Sequence, residues 1–204
     1  MLSDMYRVER IEAELELACA GSLTADTPPR LEAAFRYALF PGGGRVRPRL
    51  SLAVAEVLGD PAPGLSGAAA AALEMIHCAS LVHDDLPCFD DADTRRGRPS
   101  LQKAFGQDLA VLVGDGLIVA AFAWLAENAG GLGDRSARIS LALARGAGAG
   151  HGIVAGQAWE SEGSVDLAVY HRTKTAALFG AATEIGALAA GDDGEPWRHC
   201  GLLL

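Results

Sequence analysis

Residues 65–99 read LSGAAAAALEMIHCASLVHDDLPCFDDADTRRGRP, an alanine-rich run followed by a charged loop. The run from Leu65 to about Asp85 contains no proline, and alanine and leucine are strong helix formers. Pro87 ends the helix, because proline lacks a backbone N–H and clashes with the preceding turn. The stretch therefore predicts one long helix with a polar loop at its C-terminal end.

Turn signals divide the rest of the chain into further helix-length segments. Helices are predicted at about 4–20, 29–40, 101–127, 134–159 and 166–190, with another running through Pro48 toward Leu58 and a stub at 195–204. No alternating β pattern or hairpin dipeptide competes with them. Hydrophobic residues make up 50% of the chain but aromatic residues only 6%, which favours closely packed helices over sheets. The predicted fold class is an all-α bundle.

Charge and cysteine usage narrow the possible partners. The 204 residues carry 17 Lys+Arg against 26 Asp+Glu, and this net charge of −9 disfavours a nucleic-acid binder. The four cysteines, Cys19, Cys78, Cys88 and Cys200, show no close pairing. Reduced thiols in a cytoplasmic protein are the simplest interpretation. A single domain over residues 1–204 accounts for the length.

Neither a secretory signal nor a transmembrane segment is expected. Charges interrupt the leucines of the N-terminal segment, which has no continuous apolar run. The most membrane-like stretch, 109–126, contains Gly114, Asp115 and Gly116. An aspartate at the bilayer centre costs about 2.5–3.5 kcal/mol, so a helix inside a bundle is the better prediction.

Five aspartates lie within ten residues of the loop, at positions 84, 85, 90, 91 and 93. His77 and Asp84 share one helix face, because seven residues make about two turns. Asp84 and Asp90 would be about 120° apart on a continuous helix, but the break at Pro87 can bring them together. Clustered carboxylates repel one another unless a cation is present, and oxygen ligands alone favour Mg²⁺ or Mn²⁺. The alternative is a solvated loop whose acids are neutralised by its own arginines.

The arginines that follow, Arg95, Arg96 and Arg98, suggest a polyphosphate ligand held by metal on one side and guanidinium groups on the other. A second basic segment, PGGGRVRPR at 41–49, exposes backbone for close approach to an anion. A third, YHRTKT at 170–175, places Lys174 and Thr175 where they could hold phosphate oxygens. Gln157 and Glu160, one helical turn apart, face either a cavity or the surface. Asp192 and Asp193 are predicted turn formers.

These segments, with GGGRVRP, GQAWE and HRTKTAALF in the same order and spacing, resemble the trans-isoprenyl diphosphate synthases, most closely the bacterial farnesyl and geranylgeranyl diphosphate synthases. The resemblance covers nearly the whole chain and implies an isoprenoid-synthase-type helical bundle around a central cavity, usually a homodimer. It implies an enzyme that joins an allylic diphosphate to isopentenyl diphosphate in the presence of Mg²⁺.

The resemblance also implies roles for individual residues. Asp84 and Asp90 match the metal ligands and, with Lys174, form the implied catalytic set. Residues implied to bind the allylic diphosphate are Arg95, Lys174, Thr175 and Gln157; those implied at the isopentenyl diphosphate are Gly44, Arg47, His77 and Arg96.

In this family, side chains below the first aspartate motif set the product length. Here those positions are Ala79 and Ser80, and neither is aromatic. A deep tunnel and a geranylgeranyl product are expected, with farnesyl diphosphate as the alternative product.

Two departures from the family pattern keep other functions open. Gly44 stands where the family has a lysine, which removes one cation from the isopentenyl site. The second aspartate-rich motif, F-Q-x-x-D-D, is absent from these 204 residues, so the domain is expected to lack its C-terminal helices. A non-catalytic partner subunit of a complete synthase is therefore the main alternative. A helical protein that binds or hydrolyses diphosphates is a third, but it needs a general base that the sequence does not identify.

Overall fold

A computed structural model describes residues 4–204, in which every long element is helical. In chain order the helices are α1 (Asp4–Gly21), α2 (Pro29–Leu39), α3 (Val46–Val57), α4 (Pro63–Asp84), α5 (Leu101–Phe105), α6 (Gln107–Glu127), α7 (Gly133–Ala147), α8 (Ile153–Trp159), α9 (Leu167–His171), α10 (Ala177–Ala190) and α11 (Gly194–Leu202). A π-helical turn, Arg172–Ala176, joins α9 to α10. The predicted all-α bundle is confirmed.

Helix α4 is the predicted alanine-rich helix, and it lies at the centre of the bundle. Its segment 68–73 is completely buried, and α4 packs against α1, α3, α6 and α10. Alanine has no atoms beyond Cβ, so neighbouring helices can approach its backbone closely. Larger side chains such as Leu117, Leu143 and Ile185 fill the spaces between helices. The C-terminal end of α4 is thereby held in a fixed position.

Glycines divide two segments that were predicted as continuous helices. The segment 101–127 is interrupted at Gly106, whose φ of 101° ends α5. The segment 134–159 is divided into α7 and α8 by a turn at 148–152. A Cβ on Gly148 would lie 2.6 Å from the Ala144 carbonyl oxygen, and one on Gly152 would lie 2.5 Å from the Ala147 carbonyl carbon. Only glycine fits such close backbone contacts, so the prediction of one helix was wrong.

Three smaller differences concern the other elements. The segment predicted as one helix at 166–190 contains the π-helical turn. The predicted stub at 195–204 is a helix, α11, which begins where Asp193 accepts a hydrogen bond from the Glu195 amide over 3.1 Å. A short antiparallel pair, β1 (Thr94–Arg95) and β2 (Arg98–Pro99), was not predicted. Arg98 holds this hairpin to α2, because its guanidinium donates to the Phe40 carbonyl over 2.8 Å.

Two helices, α4 and α6, are long and apolar enough to cross a membrane by length and composition. In α4, 83% of the most apolar 18-residue window is buried inside the bundle, as expected of a core helix. In α6 the corresponding figure is 39%. More than half of that window of α6 is therefore exposed or half-buried.

Candidate active site

The end of α4 and the loop after it form a closed turn that gathers carboxylates. The Asp90 amide donates to the Asp84 carbonyl over 3.0 Å, and the Ala92 amide donates to the Asp85 carbonyl over 3.2 Å. These bonds fold the chain back on itself beyond Pro87. Asp90 thus lies beside Asp84, although a continuous helix would place the two on different faces.

Three of the five acids at 84–93 contact a cation, either in the loop or on α5. The buried carboxylate of Asp85 accepts hydrogen bonds from the Arg95 guanidinium. Lys103 lies 3.5 Å from Asp91 and 3.0 Å from Asp93. Pairing with an arginine of the loop therefore accounts for Asp85 alone, and the exposed acids Asp91 and Asp93 contact a lysine instead. Such pairing does not account for Asp84 and Asp90.

A third carboxylate, from Glu160 just beyond α8, joins these two remaining acids. Ligand oxygens of Asp84, Asp90 and Glu160 all lie within 4.8 Å of one another. Helix α8 can approach the π-helical turn closely because Gly156 lies at the contact. A Cβ at this position would be only 2.5 Å from Lys174 Cα, a distance that only glycine avoids. The sequence alone left open whether the Glu160 side chain faces a cavity or the surface. The further sequence signal for its place in the site was Gly156, four residues earlier.

Lys174, in the π-helical turn, contacts the same cluster. Its Nζ lies 2.5 Å from Glu160 Oε1 and 3.7 Å from Asp84 Oδ1, and the Tyr170 hydroxyl donates to Glu160 over 2.5 Å. Burial by itself would lower the pKa of Lys174, but the hydrogen bond to Glu160 and the charge of Asp84 outweigh it and raise that pKa. Burial would raise the pKa of Glu160, but the hydrogen bonds from Lys174 and Tyr170 outweigh it and lower that pKa. The cluster therefore already holds one cation.

The other three residues expected at the allylic diphosphate differ in whether they contact the acidic cluster. Gln157 donates to the Asp84 carboxylate, and its buried Oε1 has no partner among residues 4–204. The Arg95 bonds to Asp85 use Nε and Nη2, which leaves Nη1 for a ligand. The Thr175 side chain is exposed and makes no hydrogen bond within the described chain. The structure thus brings Gln157 into the cluster and leaves Thr175 outside it.

A cationic site lies two helical turns back along α4, at His77. The Arg47 guanidinium lies 3.3 Å from His77 Nε2, and its carbon lies 4.6 Å from the centre of the Phe179 ring. Arg47 Nε is buried without a partner in the part of the chain that the structure describes. Arg96 lies against the glycine loop, since a Cβ on Gly43 would be 2.9 Å from Arg96 Nε. Buried N–H groups without a partner are costly, so this arrangement favours an anionic ligand.

Burial and charge hold His77 neutral. Burial is the largest cause, and the charges of Arg47 and Arg96 add to it, so the pKa of His77 is lowered to about 3. Burial also lowers the pKa of Arg47. Arg47 can only donate, so the hydrogen bond makes His77 Nε2 the acceptor and puts the imidazole proton on Nδ1.

The other two arginines of the basic segment 41–49 bind acids of the protein itself. Arg45 is buried and bonds Glu12 and Glu74, each at 2.8 Å. Arg49 pairs with Asp4 and donates to the Gly44 carbonyl over 3.1 Å. Gly44 itself is exposed. Of these three arginines, Arg47 is the one that forms no ion pair with a carboxylate among residues 4–204.

The two residues expected to set product length lie on α4. Ala79 is fully buried in the hydrophobic core, and Ser80 is half-buried and donates to the His77 carbonyl over 2.8 Å. A cavity of about 580 Å³ lies elsewhere, between α7, α10 and α11, and it includes Arg172 and Thr173 but none of the clustered carboxylates. The cavity and the acidic cluster therefore flank the π-helical turn from different sides.

The donor set at the acidic cluster fits a divalent metal. Asp84, Asp90 and Glu160 offer oxygen atoms alone, and no cysteine or histidine belongs to the group. Oxygen ligands suit hard cations such as Mg²⁺ and Mn²⁺. A divalent cation would also provide more positive charge than the Lys174 ammonium that lies there. The residues present could therefore hold such an ion.

The chain is similar in sequence and in fold to known proteins. Residues 28–204 match the model of the polyprenyl synthetase family. The chain is 52% identical to a geranylgeranyl diphosphate synthase of Cereibacter sphaeroides and to one of Rhodobacter capsulatus, over 96% of its own length and 68% of theirs. It superposes on the crystal structure of a geranyltransferase from Legionella pneumophila with a TM-score of 0.85 at 34% identity, covering 98% of this chain and 75% of that one.

Proposed function

Because the chain belongs to the polyprenyl synthetase family, we propose that it is a prenyltransferase that joins an allylic prenyl diphosphate to isopentenyl diphosphate. The observation that carries this proposal is the pairing of two different anion sites on one helix. The acidic cluster at Asp84 suits a diphosphate bridged by metal, and the arginine site at His77 suits a diphosphate without metal. Seven residues separate them, a rise of about 10 Å along α4.

Each site has its own task in the proposed reaction. A divalent cation, Mg²⁺ or alternatively Mn²⁺, would be held by Asp84, Asp90 and Glu160 and would supply positive charge to the diphosphate oxygens. Lys174 and the free Nη1 of Arg95 would stabilise negative charge on the same diphosphate as it leaves. The bond that breaks joins C1 of the allylic substrate to the diphosphate oxygen, and it leaves an allylic cation.

The second site would orient the nucleophile. Arg47 and Arg96 would bind the isopentenyl diphosphate, and neutral His77 would fix the Arg47 guanidinium by accepting its hydrogen bond. The double bond of the isopentenyl group attacks the allylic cation, and a new carbon–carbon bond forms. Loss of one proton, taken up by the departing diphosphate, restores a double bond. The protein then only needs to bind, orient and exclude water.

Geranylgeranyl diphosphate is the proposed product. The relatives at 52% identity are geranylgeranyl diphosphate synthases, and the small residues Ala79 and Ser80 agree with a long product. Farnesyl diphosphate is the alternative product.

A prenyl-transfer assay with product sizing tests the proposed function. The chain is incubated at several concentrations with Mg²⁺, labelled isopentenyl diphosphate and farnesyl diphosphate, and a C20 product is expected. Asp84→Asn should abolish it, whereas Asp192→Asn, in the turn after α10, should not. Without a product, Mg²⁺-dependent binding of farnesyl diphosphate would favour the alternative of a partner subunit. That alternative draws its support from Gly44.

We also propose that the protein forms a homodimer through α6. Outward-facing apolar residues recur there at intervals of seven, in the pairs Val111 and Ile118, and Leu112 and Val119. Val119 is 69% exposed, and such a stripe suits an equivalent helix of a second copy. Light scattering of the wild type should give twice the monomer mass. Val119→Glu should give the monomer mass, and Val57→Glu, at a similarly exposed valine on α3 (74%), should leave the dimer intact.

A further inference from the structure

Gln102, on α5, has a polar side chain that is buried against the base of the acidic loop. The residue is 5% exposed. Its Nε2 lies 3.1 Å from the Asp85 carbonyl oxygen, 3.3 Å from the Ala92 carbonyl oxygen and 3.4 Å from Asp91 Oδ1. One buried amide therefore contacts three acceptors of the loop that follows α4, and the two carbonyls stand at opposite ends of that loop.

The two carbonyls that Gln102 bridges define the neck of the loop. The Ala92 amide already donates to the Asp85 carbonyl over 3.2 Å, and the Gln102 amide bonds the same carbonyl from α5. Buried carbonyl groups are normally hydrogen-bonded, and Gln102 supplies this bond without using a side chain of the metal cluster. Loss of the amide would leave the Asp85 and Ala92 backbones joined by a single hydrogen bond.

Asp90 lies within this loop, and its position beside Asp84 depends on the conformation of the loop. The Asp90 amide donates to the Asp84 carbonyl over 3.0 Å, two residues before the neck closes at Ala92. Gln102 itself does not belong to the group of carboxylates that could hold a metal ion. Any effect of Gln102 on metal binding must therefore pass through the loop backbone.

We propose that Gln102 is a positioning residue that sets the metal affinity of the Asp84, Asp90 and Glu160 cluster by closing the neck of the acidic loop. The inference rests on the metal site of the proposed function. Residues that orient metal ligands typically account for about 10–100-fold in metal affinity. Gln102→Met, which keeps the length of the side chain but removes the amide, should weaken binding by about 10-fold.

Direct Mn²⁺ binding to the full chain is the test, read as the loss of the electron paramagnetic resonance signal of free Mn²⁺. Gln107→Met is the matched control, because Gln107 lies nearby on α6, is exposed and makes no side-chain hydrogen bond within residues 4–204. Circular dichroism and the melting temperature of each variant show whether it is folded. Gln107→Met should bind Mn²⁺ as the wild type does.

Gln102→Glu separates positioning from simple packing. A carboxylate of the same size repels the two carbonyls, whereas a protonated carboxyl group can donate to one of them. The affinity of Gln102→Glu relative to wild type should therefore recover as the pH is lowered from 7.5 to 5.5, and that of Gln102→Met should not. The pH dependence of Gln102→Glu also tests the positioning role if Gln102→Met fails to fold.

The outcomes distinguish this inference from the proposed function. If Gln102→Met binds Mn²⁺ within twofold of wild type, or Gln102→Glu shows no recovery, the positioning role is overturned while prenyl transfer is untouched. If the wild type forms a C20 product but binds no Mn²⁺, the inference is overturned alone. If it neither binds Mn²⁺ nor forms a product, the proposed function is overturned as well.

Discussion

Acidification should destabilise this protein through His77, because the folded state holds that imidazole neutral. Burial, aided by the charges of Arg47 and Arg96, lowers the pKa of His77 from 6.5 to about 3. The unfolded chain keeps the ordinary pKa, so between these two values it binds more protons than the folded chain. The free energy of unfolding therefore rises with pH in this window. The contribution is complete above pH 6.5 and is lost as the pH falls toward 3.

The size of the effect follows from the two pKa values. At pH 5.0 the unfolded imidazole is about 1.5 pH units below its pKa, and the folded one is still neutral. Each unit corresponds to about 1.36 kcal/mol, so lowering the pH from 7.5 to 5.0 should cost about 2 kcal/mol. For a chain of this size that loss corresponds to a fall of about 4–8 °C in the melting temperature.

Urea denaturation at pH 7.5 and 5.0 measures this loss directly. His77→Gln keeps a hydrogen-bond acceptor for Arg47 but cannot titrate, so its loss between the two pH values should be smaller than wild type by about 2 kcal/mol. His151→Gln, at an exposed histidine, is the control and should follow wild type. Arg47→Met should retain part of the effect, since burial is the larger cause. Equal losses in wild type and His77→Gln would refute the reasoning.

Three further predictions concern the proposed reaction and the packing of the site. Gly44→Lys should lower the KM for isopentenyl diphosphate by about 10-fold in steady-state kinetics, because it would restore a cation to that site. The side chain has room, since a Cβ at Gly44 would meet only an ordinary contact at 3.5 Å. An unchanged KM would place Gly44 outside the site. Ala79→Tyr should shorten the product toward C15 at a stability cost of about 1–3 kcal/mol, and an unchanged product on sizing would count against the tunnel. Gly156→Ala should lower both the melting temperature and Mg²⁺-dependent activity, because its Cβ would meet the Lys174 backbone at 2.5 Å. This loss is expected even though alanine favours a helix over glycine by about 1 kcal/mol. Gly163→Ala, which meets nothing within 4 Å, is its control, and a more stable Gly156→Ala would contradict the packing argument.

The sequence predicted those parts of the site that depend on local chemistry. The helix that ends near Asp85, the break at Pro87 and the acids and arginines beyond it are local features, and the structure contains them. The predicted helix at 134–159 was wrong because its break depends on backbone contacts at Gly148 and Gly152, which apolar periodicity does not reveal. A run of glycines was the available signal.

The partners of the charged groups could not be predicted in the same way. Glu160 reaches the cluster from a helix about 70 residues away, and its position depends on the packing of Gly156 against Lys174. Likewise, the sequence shows five neighbouring acids, but only the folded chain shows that Arg95 and Lys103 contact three of them. Charge counts along a sequence do not reveal which charges remain free.

The π-helical turn makes the site unusually sensitive to chain length. A π-helix holds about one residue more per turn than an α-helix, so its surplus residue can be removed without breaking the helix. Deleting Ala176 should leave the helical signal in circular dichroism almost intact. It should also rotate the Lys174 side chain by about 100° relative to α10, away from Glu160 and Asp84. The same deletion should therefore be mild for folding and severe for Mn²⁺ binding and prenyl transfer, and loss of helical signal would show that the surplus residue is needed for folding as well.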